Sequence, residues 1–354
     1  MNPAFATVLL VLVAGVLFTL PLVPTLIELR LKRDGQPLKV VQEFAGEIRH
    51  FSYGFRKYIG NVLEPLQKCV ASGSTARGTM PDGDPYLLLG RSDDARLVSA
   101  GRNATTCRSV VAAGTDVVFP DGMTFVKEIY AAGKFTGGEK TEFRSVLGEK
   151  DIQLGRASTV IRWAHAVGAL RAEHDCDLYG RISADREIQL ETGCAFQRLN
   201  APRIALGRPN TQEANDAAET APISPPVGRR LIDEDLDIHP GEIVSANIVT
   251  RGKLHVGAGA RLLGSVKSHE EMDLEAGVKV EGSLISASTM HIGRDCQIIG
   301  PVIAEHGIAI DTGTRIGNVR TPTTISAPTI QIEDGVTVFG SVWARNEGQV
   351  VPQK

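Results

Sequence analysis

The chain has 354 residues, 42% hydrophobic, 22% charged and only 5% aromatic, with 37 glycines and 18 prolines. That apolar share excludes wholesale disorder, and a formal net charge of -3 argues against nucleic-acid binding through overall charge. Five cysteines without a C-x-x-C pair make neither a disulfide framework nor a zinc site and read as free thiols of a reducing compartment.

The first element in chain order is the uncharged run from Ala4 to Ile27, 24 residues long. As a helix it spans a hydrocarbon core of about 30 Å. No basic region precedes it and no small-residue cleavage pattern follows, which separates it from a cleaved signal peptide. Arg30, Lys32 and Arg33 follow directly. The positive-inside tendency then predicts a single-pass inner-membrane protein with its C-terminal body in the cytoplasm.

Beyond Asp34-Gly35-Gln36-Pro37, apolar residues recur at Val40, Phe44, Ile48, Phe51, Phe55, Ile59, Val62 and Leu66. Steps of three and four fit one face of an α-helix, closed by Gly73. Such a helix lies on the inner leaflet or pairs with a copy of itself, or it packs across an end or side of the following domain. Its weakly basic, mixed charge favours the packed alternative.

The rest of the chain is governed by a repeat. Apolar pairs return every six residues and whole units every 18, as in Leu254/Val256, Met272/Leu274, Met290/Ile292 and Ile308/Ile310, with Leu236/Ile238 one period earlier. A pair at i and i+2 sends both side chains to one side of a strand. The remainder of each hexad turns the corner, so three short strands per coil give an all-β triangular solenoid. The third pair has a small second member in Ser268, Ser286 and Ala304. An earlier stretch keeps the same step from Ile152/Leu154 to Ile188/Leu190, and less cleanly from Val117/Phe119, with Ala131, Gly148, Ala166, Ala184 and Ala201 at the small position. Cys176, Cys194 and Cys296 each open a second pair and are expected as buried small hydrophobes in one stack.

Between the two blocks, Arg208 to Asp235 is rich in proline, alanine and acids and lacks an apolar period. One continuous solenoid with this loop thrown out and two solenoids joined by a tether fit the pattern equally. Eleven or twelve coils make a rod of about 55 Å. The expected organisation is a transmembrane helix (1–30), a juxtamembrane amphipathic helix (31–72), a first solenoid block (73–207), a flexible linker or inserted loop (208–235), a second block (236–346) and a tail (347–354).

A solenoid presents an exposed strand edge at each end, and such edges template association unless covered. The last recognisable coil is Ile330/Ile332, Val336/Val338 and Val342/Ala344, and only a short polar tail follows. Phe339 and Trp343 alternate with its inward positions and are expected to point outward. Val336, Val338, Phe339, Val342 and Trp343 are therefore the expected polymerisation contact; the other reading folds Phe339 and Trp343 back as a cap. Contacts between matching ends give a non-polar filament and head-to-tail contacts a polar one.

The stretch from Gly241 to Arg345 contains GARLLGSVKSHEEMDLEAGVKVEGSLISASTMHIGRDCQIIG. Its recurrent turn, Leu263-Gly264-Ser265-Val266 and Val280-Glu281-Gly282-Ser283-Leu284, resembles that of the bactofilins, polymer-forming cytoskeletal proteins of bacteria. The resemblance implies a right-handed β-helix that polymerises without nucleotide or other cofactor into membrane-associated filaments positioning cell-envelope enzymes. Its partners would be further copies of itself, the bacterial inner membrane and envelope-synthesis proteins. The chain departs from that pattern in its transmembrane helix, its first solenoid block and its long insertion.

Left-handed β-helix acyltransferases also use hexads and 18-residue coils, but they require a histidine base beside a cofactor groove. Here both inward positions of each first pair are bulky. His255, His291 and His165 are expected to face outward, and His174, His269 and His306 fall near corners, all as surface residues. With no phosphate loop, paired-carboxylate motif or H-E-x-x-H, no catalytic, cofactor or metal site is expected. A third reading is a membrane-tethered scaffold that does not polymerise.

Overall fold

The computed structural model describes residues 9, 10, 12–17, 20, 23, 48–98, 105–207 and 228–353. The chain divides into two compact units, residues 1–47 and 48–354. In the first, residues 9–10 and 12–17 are helical. No helix among the described residues is long and apolar enough to cross a membrane. Most of the run from Ala4 to Ile27 lies outside the described residues, as do Arg30, Lys32 and Arg33.

The second unit opens with α1 (His50–Ile59), a 3-10 turn (Gly60–Val62) and α2 (Leu63–Ser72). The break has a local cause. Pro65 lacks an N–H, and its ring crowds the carbonyl four residues back, so a regular helix cannot pass through that point. Gly73 ends α2 in the left-handed region (φ 59°) and donates its N–H to the carbonyls of Cys69 and Val70.

All of the remaining described chain is a solenoid of right-handed type, with about 13 turns of about 18 residues each. That is slightly more than the repeat alone suggests, and it settles the handedness that hexads leave open. Within each block the strands pair in parallel at the predicted offset: Leu254 lies against Met272, Met272 against Met290 and Met290 against Ile308. In the first block Leu170 pairs with Ile188, and Ile188 with Ile204. A hairpin of Thr75–Thr79 and Pro85–Leu89 starts the first block. The 3-10 segment Ser92–Val98 drops Ala95 and Val98 into the core at that end.

The interior differs between blocks. Phe119, Phe125, Phe135 and Phe143 fill the early coils with ring centroids 5.0–5.4 Å apart, whereas the second block is packed with aliphatic pairs. The small third-face positions are buried as expected. Ser286 earns its place chemically, donating to the carbonyls of Glu270 and Thr289 at 2.9 and 3.1 Å. At the preceding corner the coils stack backbone on backbone. A Cβ on Gly282 would come 2.5 Å from the backbone of Gly264, and one on Gly300 would come 2.4 Å from that of Gly282. The glycine turn that carries the bactofilin resemblance is thus what a tight solenoid corner requires.

Helices α1 and α2 pack along the side of the first block. Phe55, Ile59, Val62, Leu66 and Cys69 cover the outward column Leu88, Ala112, Tyr130 and Leu147, with Trp163 beside it. Two hydrogen bonds of 2.9 Å join Arg56 to Glu149, and Tyr58 donates to Asp82. Of the two readings of the amphipathic segment, packing on the side of the domain describes residues 50–72.

Candidate functional site: the seam between the blocks

Strand Ala195–Leu206, the end of the first block, pairs antiparallel with Val336–Val351, the end of the second. Among the described residues, the other strand pairings are parallel except the opening hairpin of Thr75–Thr79 and Pro85–Leu89. Reversing the direction of travel around a triangle leaves one side on itself and exchanges the other two, and the register follows that rule. Third-face residues Arg198, Leu199 and Asn200 meet third-face residues Trp343, Val342 and Ser341. First-face Ile204 and Leu206 meet second-face Val338 and Val336, and second-face Phe196 meets first-face Gly348.

The two rims satisfy each other's backbone. Gly193 donates to Val350 (2.8 Å), Val350 to Cys194 (2.9 Å) and Gly335 to Leu206 (2.8 Å). Asn200 Nδ2 donates to Ser341 Oγ at 2.9 Å, and the Arg198 guanidinium lies 4.5 Å from the Trp343 ring centroid. Gly348 permits a close approach, since a Cβ there would fall 2.2 Å from the Phe196 ring.

The residues expected to form a polymer contact all sit at or beside this seam. Val336, Val338, Phe339 and Val342 are at most 2% exposed, and Trp343 is 42% exposed. Phe339 therefore does not point to solvent, and the terminal coil that looked open is occupied by the first block of the same chain. The hexad pattern could not reveal this, because it records which side chains point inward and not the direction in which the next coil travels. One signal was present: the step from Ile308 to Ile330 is 22 residues instead of 18, which marks a departure from the repeat just before the final strand. Also missed was the outward column under α1 and α2, legible as Ala112, Tyr130, Leu147 and His165 at near-18 spacing.

At the far end of the second block, strands Arg229–Ile232, Leu236–Ile238 and Ile243–Val244 pair on one side only among the described residues. Arg230 occupies the column of inward Ile248, yet it is exposed. A charge at such a position blunts an edge. Leu231 and Ile243 are nevertheless 60% and 66% exposed.

The remaining candidate residues lie along the two blocks. His255 and His291 hold Asp273 between them at 3.1 and 2.7 Å, and His291 reaches Asp311 at 3.2 Å. Burial opposes the charge on His291, but Asp273 and Asp311 outweigh it and raise the pKa. His174 lies 3.0 Å from Glu191. His165, expected on the surface, is 2% exposed; its Nδ1 is 2.9 Å from Ser183 Oγ, and burial lowers its pKa against the pull of Asp185. All five cysteines are buried and free. Cys176 and Cys194 occupy equivalent positions of adjacent coils, while Cys296 belongs to the other block and not to the same stack, a consequence of the seam. Burial raises the Cys296 thiol to about 11, far from a reactive thiolate. No cluster of three metal-ligating side chains occurs among the described residues.

No protein-family model, curated protein or solved structure matches the chain. The likeness to bactofilins rests on the hexads and the glycine turn alone.

Proposed function

We propose that this chain is a membrane-tethered structural scaffold whose two solenoid blocks mate with each other instead of seeding a filament. The observation that carries this reading is the antiparallel seam. The backbone edges of both blocks' C-terminal ends are hydrogen-bonded within one molecule, and the first block's other end is plugged by Ala95 and Val98. The outward histidines His174, His255 and His291 are engaged by neighbouring carboxylates, which supports a structural use for them. The tether would be Ala4 to Ile27 with Arg30, Lys32 and Arg33 on the cytoplasmic side, leaving the flat faces free for envelope-synthesis partners.

A polymer remains the second reading, and one observation favours it: the rim from Arg229 to Val244 is unpaired on one side among the described residues. Association there would join like ends about a two-fold axis. Electron microscopy and light scattering of the full chain in detergent, without nucleotide, separate the readings. Discrete particles of one or two copies are expected; filaments that lengthen with concentration would overturn the scaffold reading.

A further inference from the structure

Between α1 and the seam, four side chains form an arrangement that the scaffold reading does not use. On the third face, Trp163, Arg181, Arg198 and Trp343 stand on successive rungs, the last pair across the seam. The Arg181 guanidinium lies 4.6 Å from the ring centroid of Phe51 in α1, and that of Arg198 lies 4.5 Å from Trp343. Each cation is thus held over one aromatic ring. Nearby arginines are differently occupied: Arg49 pairs with Asp185 at 3.1 Å, and Arg203 pairs with Glu187. Among the described residues, Arg181 and Arg198 have no carboxylate partner.

Two half-buried cations on adjacent rungs, whose strands run about 4.8 Å apart, repel each other. Burial, and then the neighbouring Arg198, lower the pKa of Arg181. The rings steady each cation singly and leave that repulsion uncompensated; an anion bound by both would offset it. A carboxylate has two oxygens and is filled by one guanidinium fork, whereas a phosphate offers enough acceptors for two. Beside the pair on the same face run Asn200 and Ser341, linked to each other at 2.9 Å, which add polar groups to the surroundings.

We propose that Arg181 and Arg198, braced by Phe51 and Trp343, form a binding site for a phosphate-bearing ligand. The site uses residues from α1, the first block and the second, so it exists only when helix and seam are both in place. It does not depend on whether the chain polymerises.

The test uses the full chain in neutral-detergent micelles, carrying Trp163→Phe so that Trp343 emission is the reporter. Inorganic phosphate and glycerol 3-phosphate are titrated in one arm. In the other, micelles are doped with phosphatidic acid and compared with micelles doped with diacylglycerol, which lacks the phosphate. A saturable response is expected that weakens about tenfold or more in the R181Q/R198Q variant and is retained in Arg171→Gln, an exposed arginine elsewhere. Arg198→Lys keeps the charge and stem but loses the fork, so it should weaken binding too; it carries the test if the double variant fails to fold. A response confined to phosphatidic acid identifies a lipid headgroup as the source, and a response in both arms identifies the phosphate itself. No saturable response in either arm, or unchanged affinity in a folded variant, would overturn the proposal.

Discussion

His255, Asp273 and His291 stand on consecutive rungs of the first face, and their geometry makes a signed prediction about pH. The pKa of His291 is raised above its ordinary 6.5 by Asp273 and Asp311. Its contribution is therefore fully present below pH 6.5 and is lost as pH rises through the folded value. His165 runs the other way. Its pKa is depressed by burial, so its contribution is present above 6.5 and is lost as pH falls through the folded value. Chemical denaturation of His291→Gln should show a larger deficit against the parent at about pH 6 than at about pH 8.5. A deficit that grows toward alkaline pH would show that the ladder does not hold a charged His291.

The helical element obeys a similar logic one level up. A helical turn rises about 5.4 Å and a rung about 4.8 Å, so successive turns of α1 and α2 meet successive coils almost in step. Phe55 illustrates the fit, 7% exposed with its ring centroid 5.7 Å from that of Trp163. Removing it leaves a cavity over the column it covers, and Phe55→Ala should cost about 3 kcal/mol. The loss should fall on helix docking before the solenoid melts, because coils are held by nearest neighbours. In a Trp343→Phe background, Trp163 emission should shift to the red at lower denaturant than the loss of β-structure. Coincident transitions would show instead that helices and coils form one cooperative unit.

For the whole molecule, the decisive feature is the seam and the route that allows it. Gly207 lies at the seam and Gly228 at the far end of the second block, seven rungs away, or about 34 Å. Residues 208–227 lie outside the described residues, but twenty residues have a maximum reach of about 66 Å, enough for closure within one chain. Asn200 and Ser341 are register partners, so an N200C/S341C pair should oxidise to a disulfide. On a non-reducing gel it should run as a monomer. Adding Gly348→Leu, which forces a side chain into the Phe196 ring, should abolish that crosslink. A ladder of crosslinked multimers would mean that the blocks mate between copies.

The hexads by themselves determined the coil, its inward residues and the burial of Leu254, Met272, Met290 and Ile308 above one another, because a two-residue alternation fixes which face of a strand is apolar. They also determined that Gly264 and Gly282 mark a turn, since glycine lets backbones stack closely. The direction of the last coil was decided by tertiary structure. A strand's inward pattern reads the same whether its neighbour runs parallel or antiparallel, so Val338 looks like an open end until Ile204 is found against it. His165 was hidden for a related reason: its outward position is buried only because a helix more than a hundred residues earlier returns to cover that face.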